Sequence, residues 1–279
     1  MNSILVTGSS GFIGKKIIGK LSKSLVITDT INSKRIDLRN INEVLKIDSA
    51  DIVIHLGGKT PSKKLKSHDY FENNVFGTLN ILEYCITKKV KKLIYVSSYV
   101  YGNPENSIVD ENHPVNPHNS YSESKLLGEQ LCKLYCDKSD LKVIILRPFN
   151  IFGKSMNDGF LLTNLINAIK TKEKITIINR NSKRDFLYID DFIDLILKVT
   201  DYDSKFEIFN VGTGVSFSFD EIIKKIEKMT LKKINLEYLK DEKIFIKDIR
   251  ADISKIKKQL NWEPKIKFDD GLKKILNIS

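Results

Sequence analysis

Cysteine is scarce in this chain, and long apolar runs are missing. Only three cysteines occur among its 279 residues, which is too few for the disulfide framework of a small secreted domain. No apolar run approaches the ~20 residues that a membrane-spanning helix needs. The first ten residues show neither the basic lead nor the apolar core of a secretory signal. We therefore expect a cytoplasmic protein with no membrane partner.

The sequence also lacks the spacing of a metal site. Cys132 and Cys136 lie one helical turn apart, but no histidine or further cysteine follows at ligand spacing. We expect them and Cys85 to be reduced thiols in the core, and we expect no metal.

The net charge is +11, yet the positive charge is spread out. Lysine pairs such as Lys15-Lys16 and Lys224-Lys225 are scattered, and they form no stripe with interleaved aromatic residues. This pattern disfavours a nucleic-acid partner. It is still compatible with a small dianionic ligand.

Continuous apolar strands alternate with amphipathic helices in the first half of the chain. The predicted strands are 4–7, 25–28, 52–56, 93–96 and 143–146, and the predicted helices are 11–21, 41–47, 70–87 and 121–138. Strands that are apolar throughout are typical of a parallel sheet covered on both faces. The fold class is therefore α/β, a doubly wound parallel sheet of the Rossmann type.

After about Phe152 the rhythm changes, which predicts a smaller C-terminal lobe. Its predicted helices are 156–172, 190–200, 219–229, 253–260 and 271–276, and its strands are 175–178, 206–211 and 233–238. We place the first domain at residues 1–152, with a returning segment near 185–215. The lobe comprises 153–184 and 216–279.

A glycine turn joins the first strand to the first helix. Gly8 permits a tight turn, Gly11 lets the backbone approach a pyrophosphate, and Gly14 lets the helix pack closely on the strand. The N-terminus of that helix favours phosphate charge. This is the dinucleotide site that such a sheet requires.

The second strand ends at Asp29, at the distance where a carboxylate meets the adenosine ribose. A carboxylate there repels a 2′-phosphate, so Asp29 favours NAD over NADP as the cofactor. Lys34 and Arg35 follow, and they either soften this preference or belong to the loop surface. Asp37 and Leu38 are candidates for the adenine edge.

Tyr121 and Lys125 are four residues apart on a predicted helix and so share one face. A nearby ammonium lowers the pKa of a phenol, which makes the pair a candidate general base. Ser97 and Ser98 follow the fourth strand, where ligands of doubly wound sheets bind. A serine hydroxyl there can bond the reacting oxygen.

At this point the sequence resembles the extended short-chain dehydrogenase/reductases, specifically the NAD-dependent epimerase/dehydratase family. The matching segments occur in family order and span nearly the whole chain: Thr7-Gly8…Gly11…Gly14, Asp29, Asp37-Leu38, His55-Leu56-Gly57-Gly58, Asn74-Val75-Phe76-Gly77-Thr78, Ser97-Ser98…Val100-Tyr101-Gly102, Tyr121…Lys125, Arg147-Pro148-Phe149-Asn150-Ile151-Phe152-Gly153, Arg184-Asp185-Phe186-Leu187-Tyr188-Ile189-Asp190-Asp191, Asn210-Val211-Gly212-Thr213-Gly214, Arg250-Ala251-Asp252 and Leu260-Asn261-Trp262-Glu263-Pro264.

The resemblance implies roles for matched positions. Tyr121 is implied to be the base, with Lys125 as its pKa partner and nicotinamide-ribose ligand, and Ser98 as the hydroxyl partner. Asn150, Arg184 and Arg250 are implied to bind the nucleotide sugar, so the smaller lobe binds substrate. The implied cofactor contacts are Gly8, Ser10, Gly11, Phe12, Ile13, Gly14, Asp29, Asp37, Leu38, Leu56, Gly57, Lys125 and Pro148. A homodimer through the helices at 70–87 and 121–138 is implied by the same analogy.

Three departures from the family pattern matter. One residue fewer separates the serine pair from Val100-Tyr101-Gly102, so counting from the strand selects Ser98 and counting back from Gly102 selects Ser97. Gly57-Gly58 stands where alanines are usual. Tyr99 follows Ser98 in place of a dehydratase acid, which disfavours dehydration.

The leading hypothesis is an NAD-dependent nucleotide-sugar epimerase, a 4-epimerase, that works through a transient keto-sugar. The alternative is an NAD(P)H-dependent 4-keto-6-deoxy nucleotide-sugar reductase. A non-catalytic module of the same fold is a third hypothesis, and the Tyr121, Lys125 and Ser98 set argues against it.

Overall fold

The structure is a computed structural model, and it describes residues 2–21, 27–31, 35–62, 64–156, 159–239 and 246–278, with only the backbone for 27–31. These residues form two compact units. The first comprises Met1–Val100, Pro117–Pro148 and Ile193–Phe209, and the second comprises Tyr101–Asn116, Phe149–Phe192 and Asn210–Ser279.

The strands of the described ranges are, in chain order, β1 (Ile4–Thr7), β2 (Ile27–Ile31), β3 (Ile52–His55), β4 (Lys92–Val96), β5 (Ile108–Val109), β6 (Lys142–Pro148), β7 (Asn150–Phe152), β8 (Ile175–Ile178), β9 (Lys183–Tyr188), β10 (Phe206–Val211), β11 (Ser216–Ser218), β12 (Leu236–Leu239) and β13 (Asp248–Ala251).

The α-helices of the same ranges are α1 (Phe12–Leu21), α2 (Ile41–Val44), α3 (Ser67–Tyr70), α4 (Gly77–Thr87), α5 (Ser120–Asp137), α6 (Leu161–Thr171), α7 (Ile189–Asp201), α8 (Phe219–Thr230), α9 (Ser254–Leu260) and α10 (Phe268–Leu276). A π-helical segment, Phe71–Phe76, lies between α3 and α4.

The first unit is built on a six-stranded sheet of order β10-β6-β4-β3-β1-β2. The four pairings from β2 to β6 are parallel. Because β1, β3 and β4 are buried along their full length, helices cover both faces of the sheet. The predicted doubly wound α/β fold is confirmed.

The prediction of one continuous helix over 70–87 is wrong in its first half, where the π-helical segment adds an extra residue to the turn. The wider turn buries Asn74, which is 1% exposed. Its Nδ2 donates to Ser124 Oγ at 2.8 Å, and its Oδ1 accepts from the backbone N of Lys59 at 2.7 Å. The π-helix therefore ties the loop after β3 to α5.

The second unit contains a five-stranded sheet, in which β11-β9-β13-β5 follow one another and β7 also pairs with β9, and a separate β12-β8 pair. Its core is aromatic. Phe152 lies edge-on to Tyr188 with ring centroids 5.3 Å apart, and Phe217 stacks on Phe268 at 4.6 Å. Such pairs add stability beyond the area that they bury.

In the described ranges, none of the helices combines the length and apolar character that crossing a membrane requires.

A buried chain of hydrogen bonds fixes the carboxyl ends of β1 and β3. The Thr78 hydroxyl donates to the Asn74 carbonyl at 2.6 Å, so it accepts from His55 Nε2, which lies 3.1 Å away. His55 Nδ1 must then accept from the Thr7 hydroxyl at 2.6 Å. The Thr7 oxygen in turn accepts from the Gly57 N–H at 3.0 Å. The network assigns His55 the neutral form with its proton on Nε2.

Burial lowers the pKa of His55 to about 3, and the charge of Lys125 acts in the same direction. The ordinary histidine pKa of the unfolded chain is higher, so the unfolded chain binds one more proton between these two values. Protein stability should therefore fall as the pH drops from about 6.5 toward 3, by about 1.4 kcal/mol per pH unit from this group.

We predict that His55→Gln flattens the pH dependence of the unfolding free energy between about pH 4.5 and 6, because the buried titrating ring is gone. Urea unfolding at several pH values measures the slope. His68→Gln is the matched control, since the His68 side chain is 76% exposed and its contact with Glu72 is at the surface, where an ion pair contributes little. It should change the slope far less than His55→Gln does. Equal slopes for wild type and His55→Gln would contradict the assignment.

Candidate functional site

The strand order reverses around β1, where β2 lies on one side and β3 on the other. Ligands of doubly wound sheets bind at the carboxyl ends of strands at such a point. Gly8 follows β1 with a positive φ of 70°, and a Cβ on it would lie 2.8 Å from the carbonyl carbon of Leu56, the residue after β3. Only glycine fits this turn.

Gly14 completes the close packing, because a Cβ on it would lie 2.2 Å from the Gly8 carbonyl oxygen. The Gly11 N–H donates to that same oxygen at 3.0 Å, which tightens the turn. Ser10 and Gly11 are exposed, and α1 begins at Phe12. The open backbone before a helix N-terminus suits a pyrophosphate, so these residues fit a dinucleotide. Ile13, in the first turn of α1, is partly buried.

On the predicted adenine side, Leu38 packs against the turn after β3, since a Cβ on Gly57 would lie 2.6 Å from Leu38 Cδ1. Arg39 hydrogen-bonds both Asp37 carboxylate oxygens, at 3.0 and 2.7 Å, and this contact lowers the pKa of Asp37. The Asp37 carboxylate is therefore already paired.

Other predicted cofactor residues are placed less fully. The Asp29 side chain and Lys34 lie outside the described residues, and Arg35 is exposed. Leu56 is partly buried at the end of β3. Pro148 is the buried last residue of β6.

Helix α5 begins where Asn119 caps it, because the Asn119 Oδ1 accepts from the Ser122 N–H at 2.9 Å. This cap places Tyr121 in the first turn. Burial raises the pKa of Tyr121 to about 12, and a hydrogen bond with Ser98 acts in the opposite direction. The structure thus brings the phenol and the Ser98 hydroxyl together at the end of β4.

Lys125 lies one turn further along α5 and is 6% exposed. Its Nζ lies 4.8 Å from the centroid of the Tyr95 ring, a cation–π contact. Burial lowers the pKa of Lys125 to about 8. Burial is the largest influence on both pKa values, and it favours a neutral phenol. The role of Lys125 as the pKa partner of Tyr121 stays a prediction.

The Ser97 side chain points toward Glu129 rather than toward Tyr121. Its Oγ donates to Glu129 Oε1 at 2.5 Å, and its N–H donates to the Leu146 carbonyl at 2.8 Å. Successive side chains at a strand end point to opposite faces. Of the two serines that the sequence left open, Ser98 is therefore the one beside Tyr121.

The predicted substrate residues lie in the second unit. Asn150 Nδ2 donates to the Asp185 carbonyl at 2.8 Å, and Arg184 Nη1 donates to the Ile246 carbonyl at 3.0 Å. Arg250 Nη2 lies 3.5 Å from Ser107 Oγ. Within the described part of the chain, no acceptor meets the buried Nε of Arg250.

Sequence reasoning gave no role to three buried residues of the first unit: Asn74, Glu129 and Arg147. Asn74 bridges the loop after β3 and α5, as described above. Glu129 pairs with Arg147, whose Nη2 lies 2.7 Å from Glu129 Oε2. A signal for Glu129 was available, since it lies four residues after Lys125 on the same helix face.

The sequence of this chain is similar to those of known proteins over most of its length. The family model described as NAD dependent epimerase/dehydratase family matches residues 4–212. A putative UDP-glucose 4-epimerase of Methanocaldococcus jannaschii is 31% identical over 98% of this chain and 97% of its own. A UDP-glucuronate 4-epimerase of Thermodesulfobacterium geofontis is 30% identical over 100% of this chain and 96% of its own.

Among solved structures, the UDP-glucuronic acid 4-epimerase from Bacillus cereus, in complex with UDP-glucuronic acid and NAD, superposes with a TM-score of 0.85 at 26% identity. The match covers 99% of this chain and 98% of that one. These relatives support the epimerase interpretation over the reductase alternative.

We predict opposite effects for two glycine substitutions in α1. Gly14→Ala should lower the free energy of unfolding by about 1–3 kcal/mol, because its methyl group would collide with the Gly8 backbone. Gly19→Ala should raise it by up to about 1 kcal/mol, because nothing lies within 4 Å of a Cβ there.

Urea unfolding of both variants measures the effect, and titration with NAD should show weaker binding for Gly14→Ala only. A Gly14→Ala protein as stable as wild type would rule out the close packing of this turn.

Proposed function

Because the chain belongs to the NAD dependent epimerase/dehydratase family, we propose that it is a UDP-sugar 4-epimerase that keeps its NAD bound between turnovers. The observation that carries the proposal is the placement of Ser98 beside Tyr121 after β4, with Lys125 one helical turn away on α5. The named relatives with this activity support the choice of reaction.

The glycine turn of Gly8, Gly11 and Gly14 would hold NAD, which would supply reversible hydride transfer at the sugar carbon. In the proposed mechanism, side chains of the protein accept and return the proton. Tyr121 accepts the proton of the sugar hydroxyl and later gives it back, and Ser98 holds the reacting oxygen.

For Tyr121 to act as a base, its pKa must come down from about 12 toward the working pH. A positive charge within ~4–6 Å has this effect. Lys125 is the cationic side chain one turn along the same helix face. The hydrogen bond from Ser98 acts in the same direction.

We also propose a division of labour between the two units. The first binds NAD through the glycine turn and holds the reacting groups, and the second binds the nucleotide diphosphate. Arg250 supports this, because its buried Nε has no partner within the described part of the chain. A guanidinium fork suits phosphate oxygens. Arg184 and Asn150 complete the proposed set.

A homodimer through α4 and α5 is part of the proposal. Three apolar side chains on these helices are exposed: Ile86 at 40%, Leu127 at 38% and Leu134 at 44%. Leu127 and Leu134 lie two turns apart on one face of α5, and contiguous exposed apolar side chains are typical of an interface. The proposal places the enzyme in the cytoplasm, where its three buried free cysteines stay reduced.

We predict that the purified protein, loaded with NAD, interconverts UDP-glucose or UDP-glucuronate with its C4 epimer. Tyr121→Phe should lower kcat by at least ~10²-fold, because the proton acceptor is lost. NAD content should stay at the wild-type level. The control is Tyr135→Phe on the same helix, whose hydroxyl contacts Glu83 at the surface. A Tyr121→Phe enzyme with normal kcat would refute the mechanism.

We predict that Leu134→Glu converts the protein from dimer to monomer, because a charge at this apolar position cannot be desolvated in an interface. Sedimentation velocity at several protein concentrations measures the mass. Leu231→Glu, at a position that is 92% exposed in the second unit, should leave the mass unchanged. A monomeric wild type would exclude the dimer proposal.

A further inference from the structure

A buried charge cluster lies beside the reacting groups, formed by Ser97, Glu129 and Arg147. The side chains of Glu129 and Arg147 are each 5% exposed. Arg147 Nε lies 3.0 Å from Glu129 Oε1 and its Nη2 lies 2.7 Å from Oε2, which makes the pair bidentate. The Ser97 hydroxyl donates to Oε1 at 2.5 Å.

Burying this charged cluster in the core costs more free energy than burying apolar side chains of similar size would. Burying two charges costs more in lost hydration than a well-packed apolar pair would, so a buried ion pair is weak evidence for stability. Such pairs are better explained where they fix one arrangement of the parts around them. The parts fixed here are the segment directly after β4, which carries Ser97, helix α5, which carries Glu129, and β6, which carries Arg147.

The contacts of this cluster connect it to the residues that carry the proposed reaction. Ser97 directly precedes Ser98, so anchoring Ser97 sets the direction in which the next side chain leaves the strand. Glu129 is four residues after Lys125 and eight after Tyr121, so the three side chains lie along one face of α5. One carboxylate is thus attached to both elements that supply the reacting groups.

A second connection between the cluster and the reacting groups is electrostatic, between Glu129 and Lys125. Burial lowers the pKa of Lys125 to about 8, and the Glu129 carboxylate acts in the opposite direction. Cys132 also lies beside Lys125, but burial raises the pKa of its thiol well above the usual value and keeps it neutral. The titratable and charged groups around Lys125 are Tyr121, Glu129 and Cys132 on its own helix, Tyr95 on β4, His55 on β3, and Arg147 on β6 through its pairing with Glu129. Glu129 is the carboxylate of this set.

We propose that Glu129, held by Arg147, is a positioning residue for the reaction: through Ser97 it keeps Ser98 against Tyr121, and its charge helps Lys125 to stay an ammonium. The proposal rests on the function proposed above. It assigns no contact between Glu129 and the substrate or NAD.

The first test is Glu129→Gln in the full-length, NAD-loaded enzyme. Glutamine keeps the size of the side chain and removes its charge. We expect kcat to fall by ~10- to 100-fold with KM for the UDP-sugar changed little, because the reacting groups are misplaced while substrate binding is not. The alkaline limb of the kcat profile should move to lower pH, because without the carboxylate the ammonium loses its proton more easily.

Two further variants separate the two contributions. Glu129→Asp keeps the charge and shortens the side chain, so kcat should fall while the alkaline limb stays near its wild-type position. Ser97→Ala cuts the link to β4 and leaves the carboxylate, so it should also lower kcat without moving the limb. Glu123→Gln, on the exposed face of the same helix, is the matched control and should leave both unchanged.

A readout independent of activity keeps this proposal distinct from the proposed function. Titration of the Lys125 Cε signal by NMR in ¹³C-lysine-labelled protein, assigned with Lys125→Arg, should show a lower midpoint in Glu129→Gln than in wild type. If wild type epimerises no UDP-sugar but the midpoint still shifts, the proposed function fails and the electrostatic role of Glu129 stands.

The proposal is overturned if Glu129→Gln keeps kcat, alkaline limb and Lys125 midpoint. It is also overturned if the loss of activity matches the loss of folded, NAD-containing protein, since that result would show a purely structural role. Circular dichroism and the NAD content of each variant make this distinction.

Discussion

The structure of the first unit depends on a backbone contact with no room for a methyl group. Where the strand order reverses, the turn after β1 lies directly against the turn after β3, with Gly8 beside Leu56. Helix α1 packs closely against the same turn at Gly14. Because these approaches are backbone to backbone, no rotamer change can relieve a substitution. The hydrogen bonds from Gly57 through Thr7 to His55 then hold the two strand ends together.

The candidate site depends on this backbone contact and on the side-chain periods of a strand and a helix. The protein is an NAD-dependent enzyme of the extended short-chain dehydrogenase/reductase type, and NAD chemistry needs fixed groups at the carboxyl end of the sheet. The period of two at the end of β4 sends Ser97 toward Glu129 and Ser98 toward Tyr121. The 3.6-residue period of α5 lines up the tyrosine and the lysine. Tyr121 and Lys125 are therefore fixed by a helix, and Ser97 and Ser98 by their place directly after a strand.

Much of the fold was predictable because its strands are apolar throughout. The structure reproduces β1, β8 and β10 with the bounds read from the sequence. The π-helical segment at Phe71–Phe76 was missed, because one extra residue in a turn leaves the apolar pattern almost unchanged. Strand β9 was missed because it contains Asp185. That buried carboxylate is stabilised by donors from Thr213, Gly214 and Ala251, which are distant in sequence.

The sequence could not predict how burial affects the charged forms of Tyr121 and Lys125, because this also depends on contacts between distant residues. Spacing indicated that Lys125 shares a face with Tyr121, but the cost of burial depends on everything packed around them. Burial raises the pKa of the phenol and lowers that of the ammonium, so it opposes the charged form of both. Each group has a polar neighbour that works against this cost: Ser98 for Tyr121, and Glu129 for Lys125. A dry interior protects hydride chemistry from water, and in the proposed reaction these two neighbours would allow a proton to move within it.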